Sequence, residues 1–449
     1  MHLFGSGRGM SVLLCELGAA QVTQILALKE NMERNVRECI MPFWRDNLVD
    51  VQHGGFYGRV YEDLRPDRES PKSVVLNCRL LWAYTRAHEM LGDPVYRELA
   101  ERAYHYICDR FCDPVYGGAY WMVTAKGEPS EVEKRTYGQA FLIFAMAAYF
   151  RAYGDFEALD IARRTLALLH THAWQTGGGY VDSLTRDWLR DDWVNVWIKN
   201  RDGAALLLNS NMHLFEAILE LAEATGDVVV MQALREQLVF LLEDMVDENL
   251  HHMKAGVDDE GQRIDHEINF GHDCECSYLM TRAAALLGED SLIQKARQTA
   301  QDIVCHVLAE GLDQENGGLY YIADAVSGAI NRSKIWWVQA EGITAFFNMF
   351  ELTGQERFLD AAMSMWAYIE TNMVNREMGE WDAVGRNPRS DVSLKNDEKA
   401  LRKVFTNVER AGKGKCPYHN SRACFEIMQR VDALCGNNVQ KNLGNAQNK

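Results

Sequence analysis

The sequence predicts an all-α double-ring barrel, and three observations carry that reading. A Gly-Gly-aromatic segment recurs about every 60 residues. A long apolar stretch closed by glycine recurs with the same period. An amphipathic stretch follows each closing glycine. Six such units give twelve helices, six buried on both sides inside a ring of six half-exposed ones.

In chain order, the first series is Gly54-Gly55-Phe56-Tyr57, Gly117-Gly118-Ala119-Tyr120-Trp121, Gly178-Gly179-Tyr180, Gly317-Gly318-Leu319-Tyr320 and Gly379-Glu380-Trp381. The double-length gap between Tyr180 and Gly317 leaves room for a degenerate copy near 251–261. The second series closes at Gly92, Gly154, Gly226, Gly288, Gly354 and Gly436. Glycine tolerates the left-handed conformation just past a helix end, and the polar residue after it opens the next helix. Stretches such as 139–153 (QAFLIFAMAAYFRAY) and 211–225 are too long and too rich in Leu and Ala for strands. Stretches 155–171 and 288–307 alternate faces as outer helices do. The Gly-Gly-aromatic segments then fall between an outer helix and the next inner one, at one end of the barrel.

No Pro- or Gly-rich linker interrupts the 449 residues, so 21–436 reads as one domain between a disordered extension (1–20) and a polar tail (437–449). The net charge of −17 disfavours nucleic acid as a partner, while a neutral small substrate is compatible with it. Eleven cysteines, an odd number without Cys-x-x-Cys spacing, read as reduced thiols in a cytoplasm. The apolar run near the N-terminus is broken by Glu16 and is too short for a secretion signal or a membrane span.

Counting back from the closing glycines reveals a polar ring. Thirteen residues before them stand Arg79, Phe141, His213, Glu275 and Glu341; seventeen before stand Tyr137, Asn209, Trp337 and His419. His272 lies one position off that level. Four residues make about one helical turn, so both levels share a face at the start of the inner helices. Burying three histidines, two glutamates and an arginine without a use is costly. A metal is not expected, because the ligand types come singly from different repeats without His-x-x-x-His spacing. Glu275 and Glu341 could serve as the acid and base of a glycoside hydrolase. Three histidines fit proton removal and return near neutral pH better. Aromatic loop residues offer flat faces for sugar rings.

The chain resembles the N-acylglucosamine 2-epimerase superfamily over about 30–431, and most closely its cellobiose 2-epimerases. The carrying motifs are Asn77-Cys78-Arg79-Leu80-Leu81-Trp82, Asn209-x-x-x-His213-Leu214-x-Glu216-Ala217 and Gly271-His272-Asp273-x-Glu275. Trp336-Trp337-Val338-Gln339-Ala340-Glu341 and Lys415-Cys416-Pro417-Tyr418-His419-Asn420-x-Arg422 complete the set. The resemblance implies an (α/α)6 barrel and reversible epimerisation at carbon 2 of a reducing-end glucose, without metal or nucleotide. It implies His272 and His419 as the acid/base pair, with His213 assisting. Arg79, Tyr137, Asn209, Glu275, Glu341, Arg422 and the pair Trp336 and Trp337 are the implied substrate contacts; the helical register favours Trp337. Glu275, one turn from His272, is expected to orient it.

One departure stands out. The family usually has a tryptophan directly before Lys-Cys-Pro-Tyr-His, where this chain has Gly414. That leaves a mannose 2-epimerase or an aldose–ketose isomerase as alternatives, since both pass through the same enediolate. The expected partner is a small sugar, with the chain acting as a monomer or homodimer.

Overall fold

The computed structural model describes residues 17–175, 178–190, 206–258, 260–386 and 409–447. The N-terminal extension expected over 1–20 lies outside them as far as residue 16. The first helix, α1, is Ala19–Asn35, and a π turn, Val36–Ile40, carries it into the short α2, Met41–Asn47. Then α3 (Val74–Leu91) and α4 (Pro94–Tyr106), α5 (Thr136–Tyr153) and α6 (Phe156–His172), and α7 (Leu208–Thr225) and α8 (Val228–Phe240) follow as pairs. The pairs α9 (Phe270–Leu287) with α10 (Asp290–His306) and α11 (Trp336–Thr353) with α12 (Glu356–Asn372) precede α13 (Tyr418–Gln447).

Burial separates the two rings. Every residue of α11 from Trp336 to Glu351 is buried, as it must be in a helix packed on all sides. By contrast α10 buries one stripe, Leu292, Ala296, Ala300, Ile303 and Val304, and leaves the rest half-buried or exposed. The inner helices touch in the cycle α3, α5, α7, α9, α11, α13 and back to α3. The expected double-ring barrel is therefore closed.

Gly92, Gly154, Gly226, Gly288 and Gly354 end the inner helices with φ between 62° and 73°. Each returns its N–H to a carbonyl of the last turn, and Asp93, Asp155 and Asp227 then cap the outer helices. Gly436 behaves differently: α13 runs straight through it to Gln447. No turn is needed there, because the outer partner of α13 is α1, from the other end of the chain. The sixth pair is thus closed by the two termini rather than by a hairpin.

At the end where the inner helices begin, short antiparallel pairs link each unit to the next. Lys72–Ser73 pairs with Met122–Val123, Lys134–Arg135 with Ser183–Leu184, and Leu206–Leu207 with Gly256–Val257. Glu267–Asn269 pairs with Ile322–Asp324, and Glu409–Ala411 returns to Val60–Tyr61. The degenerate repeat lies over 247–253, where His251 takes the left-handed φ (52°) and sends its N–H to Asp247. Buried Lys72, Lys134 and Lys334 staple the loops through Asp50, Asp113 and Asp313 at 2.8, 3.0 and 2.7 Å. The far end of the bore is filled by charge pairs, among them Arg282 with Glu223 and Arg430 with Glu351. Among the described residues, the cavity that adjoins the polar ring lies at the strand-decorated end. No helix among the described residues is long and apolar enough to cross a membrane.

Candidate active site

The polar ring converges as its spacing predicts. Arg422 on α13 forms the centre of a buried floor, bonding Glu275 of α9 at 2.5 Å and Glu341 of α11 at 2.7 Å. Its other terminal nitrogen meets Glu216 of α7 and the Tyr418 hydroxyl. Above the floor stand the histidines. His419 Nδ1 lies 2.6 Å from Glu341 Oε1, and His213 Nδ1 lies 3.4 Å from Glu216 Oε2. The Trp337 ring neighbours both His272 and His419, with centroids 5.1 and 5.7 Å away. Gly271 explains the close approach: a Cβ there would come within 2.3 Å of the Trp337 ring.

Arg79 closes one side. Its guanidinium donates to the Tyr137 hydroxyl at 2.8 Å and lies 4.1 Å from the Phe141 ring centre. Its Nε is buried and without a hydrogen-bond partner among the described residues. Tyr137 packs edge-on against His213 at 5.1 Å and also lines a cavity of about 350 Å³. Asn209, Trp121, Asp182, Ser210 and Lys413 line the same cavity. The cleft therefore adjoins His213.

Burial and charge set the protonation of the site. Burial, reinforced by the nearby positive charges of Arg79 and Arg422, holds His419 well below the usual histidine range, so it is neutral near pH 7. Burial raises Glu275 to about 7, with the negative charge of Glu341 adding to it. Burial pushes Glu216 the same way, but Arg422 and His213 outweigh it and leave the carboxyl at about 2. A neutral imidazole with its Nδ1–H on a carboxylate keeps Nε2 free as a base.

Three expectations need correction. Trp336 does not face the site; adjacent helical residues point about 100° apart, and its ring lies under Lys415 at 5.4 Å. Glu275 bonds Arg422, and the site histidines are held by other carboxylates, His419 by Glu341 and His213 by Glu216. Arg422 is buried and surrounded by carboxylates, so it organises the floor instead of reaching into the cavity. The aromatic loops divide: Phe56, Tyr120, Tyr180 and Trp381 are buried in turn packing, whereas Trp121 lines the cavity. At Gly414, next to cavity-lining Lys413, a Cβ would meet no atom of the described residues within 4 Å, where the family tryptophan would stand.

Several roles escaped the sequence reading, although Glu216 and Tyr418 stand in its motifs. Glu216, Tyr278 and Tyr418 complete the floor, Tyr278 donating to Glu341 at 2.7 Å. Fifteen residues before the closing glycines stand Asn77, Gln139, Asn211, Asp273, Gln339 and Ser421, an all-polar level. Two residues from the site-facing level is just over half a helical turn, so this level points away from the axis. There Gln139 clamps both backbone groups of Ala119 (2.8 Å each), and Asn211 and Gln339 do the same to Tyr180 and Leu319. The count that found the site would have found this ring as well.

Two groups, His213 with Glu216 and Glu275, and Glu275 with Glu341 and His419, have ligand-type atoms within 4.8 Å of one another. Arg422 occupies carboxylate oxygens in both groups, and Tyr278 and Tyr418 take further ones. The cation these carboxylates already face is the guanidinium. The same guanidinium lies between Glu275 and Glu341, where a hydrolase would need a substrate-sized gap.

The model of the N-acylglucosamine 2-epimerase (GlcNAc 2-epimerase) family matches residues 55–396. A cellobiose 2-epimerase of Bacteroides fragilis is 31% identical over 405 residues, covering 89% of this chain and 98% of that protein. The solved cellobiose 2-epimerase of Bacillus thermoamylovorans superposes with a TM-score of 0.81 at 30% identity, covering 90% of this chain and 99% of that one. A D-mannose isomerase structure shares the fold, with a TM-score of 0.76 at 20% identity over 90% of this chain and 98% of that one.

Proposed function

The chain belongs to the N-acylglucosamine 2-epimerase family, and from that premise we propose that this carbohydrate 2-epimerase acts on the reducing-end glucose of a cellobiose-type disaccharide. One observation carries the reading most directly. Two histidines from different inner helices, His272 and His419, both pack against the Trp337 ring, and His419 is held by Glu341.

The chemistry follows from carbon 2 of an open-chain aldose, which is acidic because its anion delocalises into the aldehyde as an enediolate. After ring opening, one histidine takes the carbon 2 proton and the other returns one to the opposite face, inverting the centre. Neutral His419, with Nε2 free, suits the role of base in one direction. His272 then serves as the acid, and the two exchange roles in reverse. Arg79, whose guanidinium is bonded to the cavity-lining Tyr137, is assigned to the enediolate oxygens. His213, tied to Glu216, assists proton movement during ring opening. Trp337, Tyr137 and Asn209 hold the sugar. No metal or nucleotide is required by these steps.

The test is incubation of the purified protein with cellobiose, lactose, glucose, mannose and N-acetylglucosamine, with products identified by NMR. Formation of the 2-epimer of cellobiose supports the reading. Turnover of mannose to fructose with no disaccharide product favours the isomerase reading instead, for which Gly414 in place of the family tryptophan is the supporting observation.

A further inference from the structure

We propose that the buried pair His252–Asp273 is a positioning device for His272, holding the first turn of α9 in the register that presents that imidazole to the sugar. The proposal rests on the reading of His272 as one of the two proton-transferring histidines.

The observation behind it is a break in the internal repeat. At the same level of their helices, Gln139, Asn211 and Gln339 tie a loop backbone with a neutral amide, which accepts from an N–H and donates to a carbonyl. In α9 the equivalent residue is Asp273, directly after His272 in the chain. Its carboxylate accepts from the Met253 N–H at 2.7 Å and from His252 Nδ1 at 2.7 Å. His252 stands where four other repeats have glycine (Gly55, Gly118, Gly179 and Gly318) and one has Glu380. The pair is buried, with side-chain exposures of 1% and 0%.

A neutral amide is enough to tie a loop, as three sibling helices show. A buried ion pair carries a desolvation cost that good geometry only partly offsets. The costlier solution is found at the turn that carries His272. That turn is fixed at three consecutive residues. Gly271 is pressed against Trp337, the His272 N–H is accepted by the Asn269 side chain at 3.2 Å, and Asp273 is anchored by His252. A shift of one ångström there would carry His272 off its line to carbon 2.

The surroundings of His252 decide its pH behaviour. Facing it are Asp273 on α9, Glu310 at 3.5 Å on the π turn after α10, and the His306 ring at 5.9 Å, with His251 stacked on His306. Burial disfavours the charged imidazole, but Asp273 and Glu310 outweigh it and raise the pKa. The charged clamp is therefore complete below the ordinary histidine pKa of about 6.5 and weakens as pH rises through the raised value.

The experiment compares Asp273→Asn, which restores the amide of the sibling helices, with His252→Gln and with His272→Ala. The expected result for Asp273→Asn is a folded protein whose kcat falls about tenfold at nearly unchanged KM. For His252→Gln, the parent-to-variant ratio of kcat should shrink as pH rises. His272→Ala should be inactive. Parent-like kcat and pH profile in Asp273→Asn and His252→Gln, with His272→Ala dead, overturns the positioning role and leaves the active-site reading standing. An active His272→Ala overturns both. If Asp273→Asn does not fold, His252→Gln decides; loss of folding in both makes the pair purely structural and overturns the proposal.

Discussion

His419 Nδ1 lies 2.6 Å from Glu341 Oε1, across the seam between two neighbouring inner helices. The same carboxylate takes Arg422 on that oxygen and the Tyr278 hydroxyl on the other. With Nδ1–H donated to a carboxylate, the imidazole is fixed in one tautomer and one ring plane, and Nε2 is left as the basic nitrogen.

Glu341→Gln tests this relationship. An amide can turn its NH2 group toward Nδ1 and select the wrong tautomer, so turnover should fall by at least about 100-fold. The fold should remain, since the glutamine still bonds Tyr278. Steady-state kinetics with a melting curve checks it; near-parent turnover would mean that another group orients His419.

Glu275 gives a pH signature. Burial raises its carboxyl to about 7, above an unfolded value of about 4.3. The folded state thus holds the proton more tightly between those values, and stability drains away as pH rises from about 4.3 to 7. Glu275→Gln removes that dependence. The melting temperature of the variant relative to the parent should become more favourable from pH 5 to pH 8; a constant difference would place the Glu275 pKa in the ordinary range.

Much of the fold was legible because one physical requirement repeats. Each inner helix must stop, and Gly92, Gly154, Gly226, Gly288 and Gly354 each accept the left-handed turn that stops it. Gly436 misled for the same reason it is informative: α1 supplies the outer partner of α13, so no turn is required, and a glycine inside a helix costs only about 1 kcal/mol. Arg79, His213, Glu275 and Glu341 were visible as polar residues in apolar helices. Glu216 and Tyr278, a helical turn deeper, were hidden, because their role is to satisfy Arg422 and Glu341 across the bore. Such partnerships span more than 60 residues of sequence. Trp336 and Trp337 were inseparable by type and separated only by helix geometry.

Exhaustive chelation should leave activity unchanged. The carboxylates that could bind an ion already face Arg422 and tyrosine hydroxyls. Assay after dialysis against EDTA checks this, and a loss restored by a divalent cation would assign the floor to a metal.

Gly414→Trp tests the missing tryptophan. A Cβ there meets no atom of the described residues within 4 Å, beside cavity-lining Lys413. An added aromatic face is worth about 1 kcal/mol, or about fivefold in affinity. The KM for cellobiose should fall by about that factor while that for mannose stays put. An equal change for both sugars would place the second sugar elsewhere.

Epimerisation in heavy water by the parent, His272→Ala and His419→Ala measures the central claim most directly, with deuterium located by NMR. Two histidines working from opposite faces predict solvent deuterium at carbon 2 of the epimer and at least about 100-fold slower epimerisation in each variant. Epimer formed without deuterium at carbon 2, or near-parent turnover in either variant, would contradict the two-histidine account.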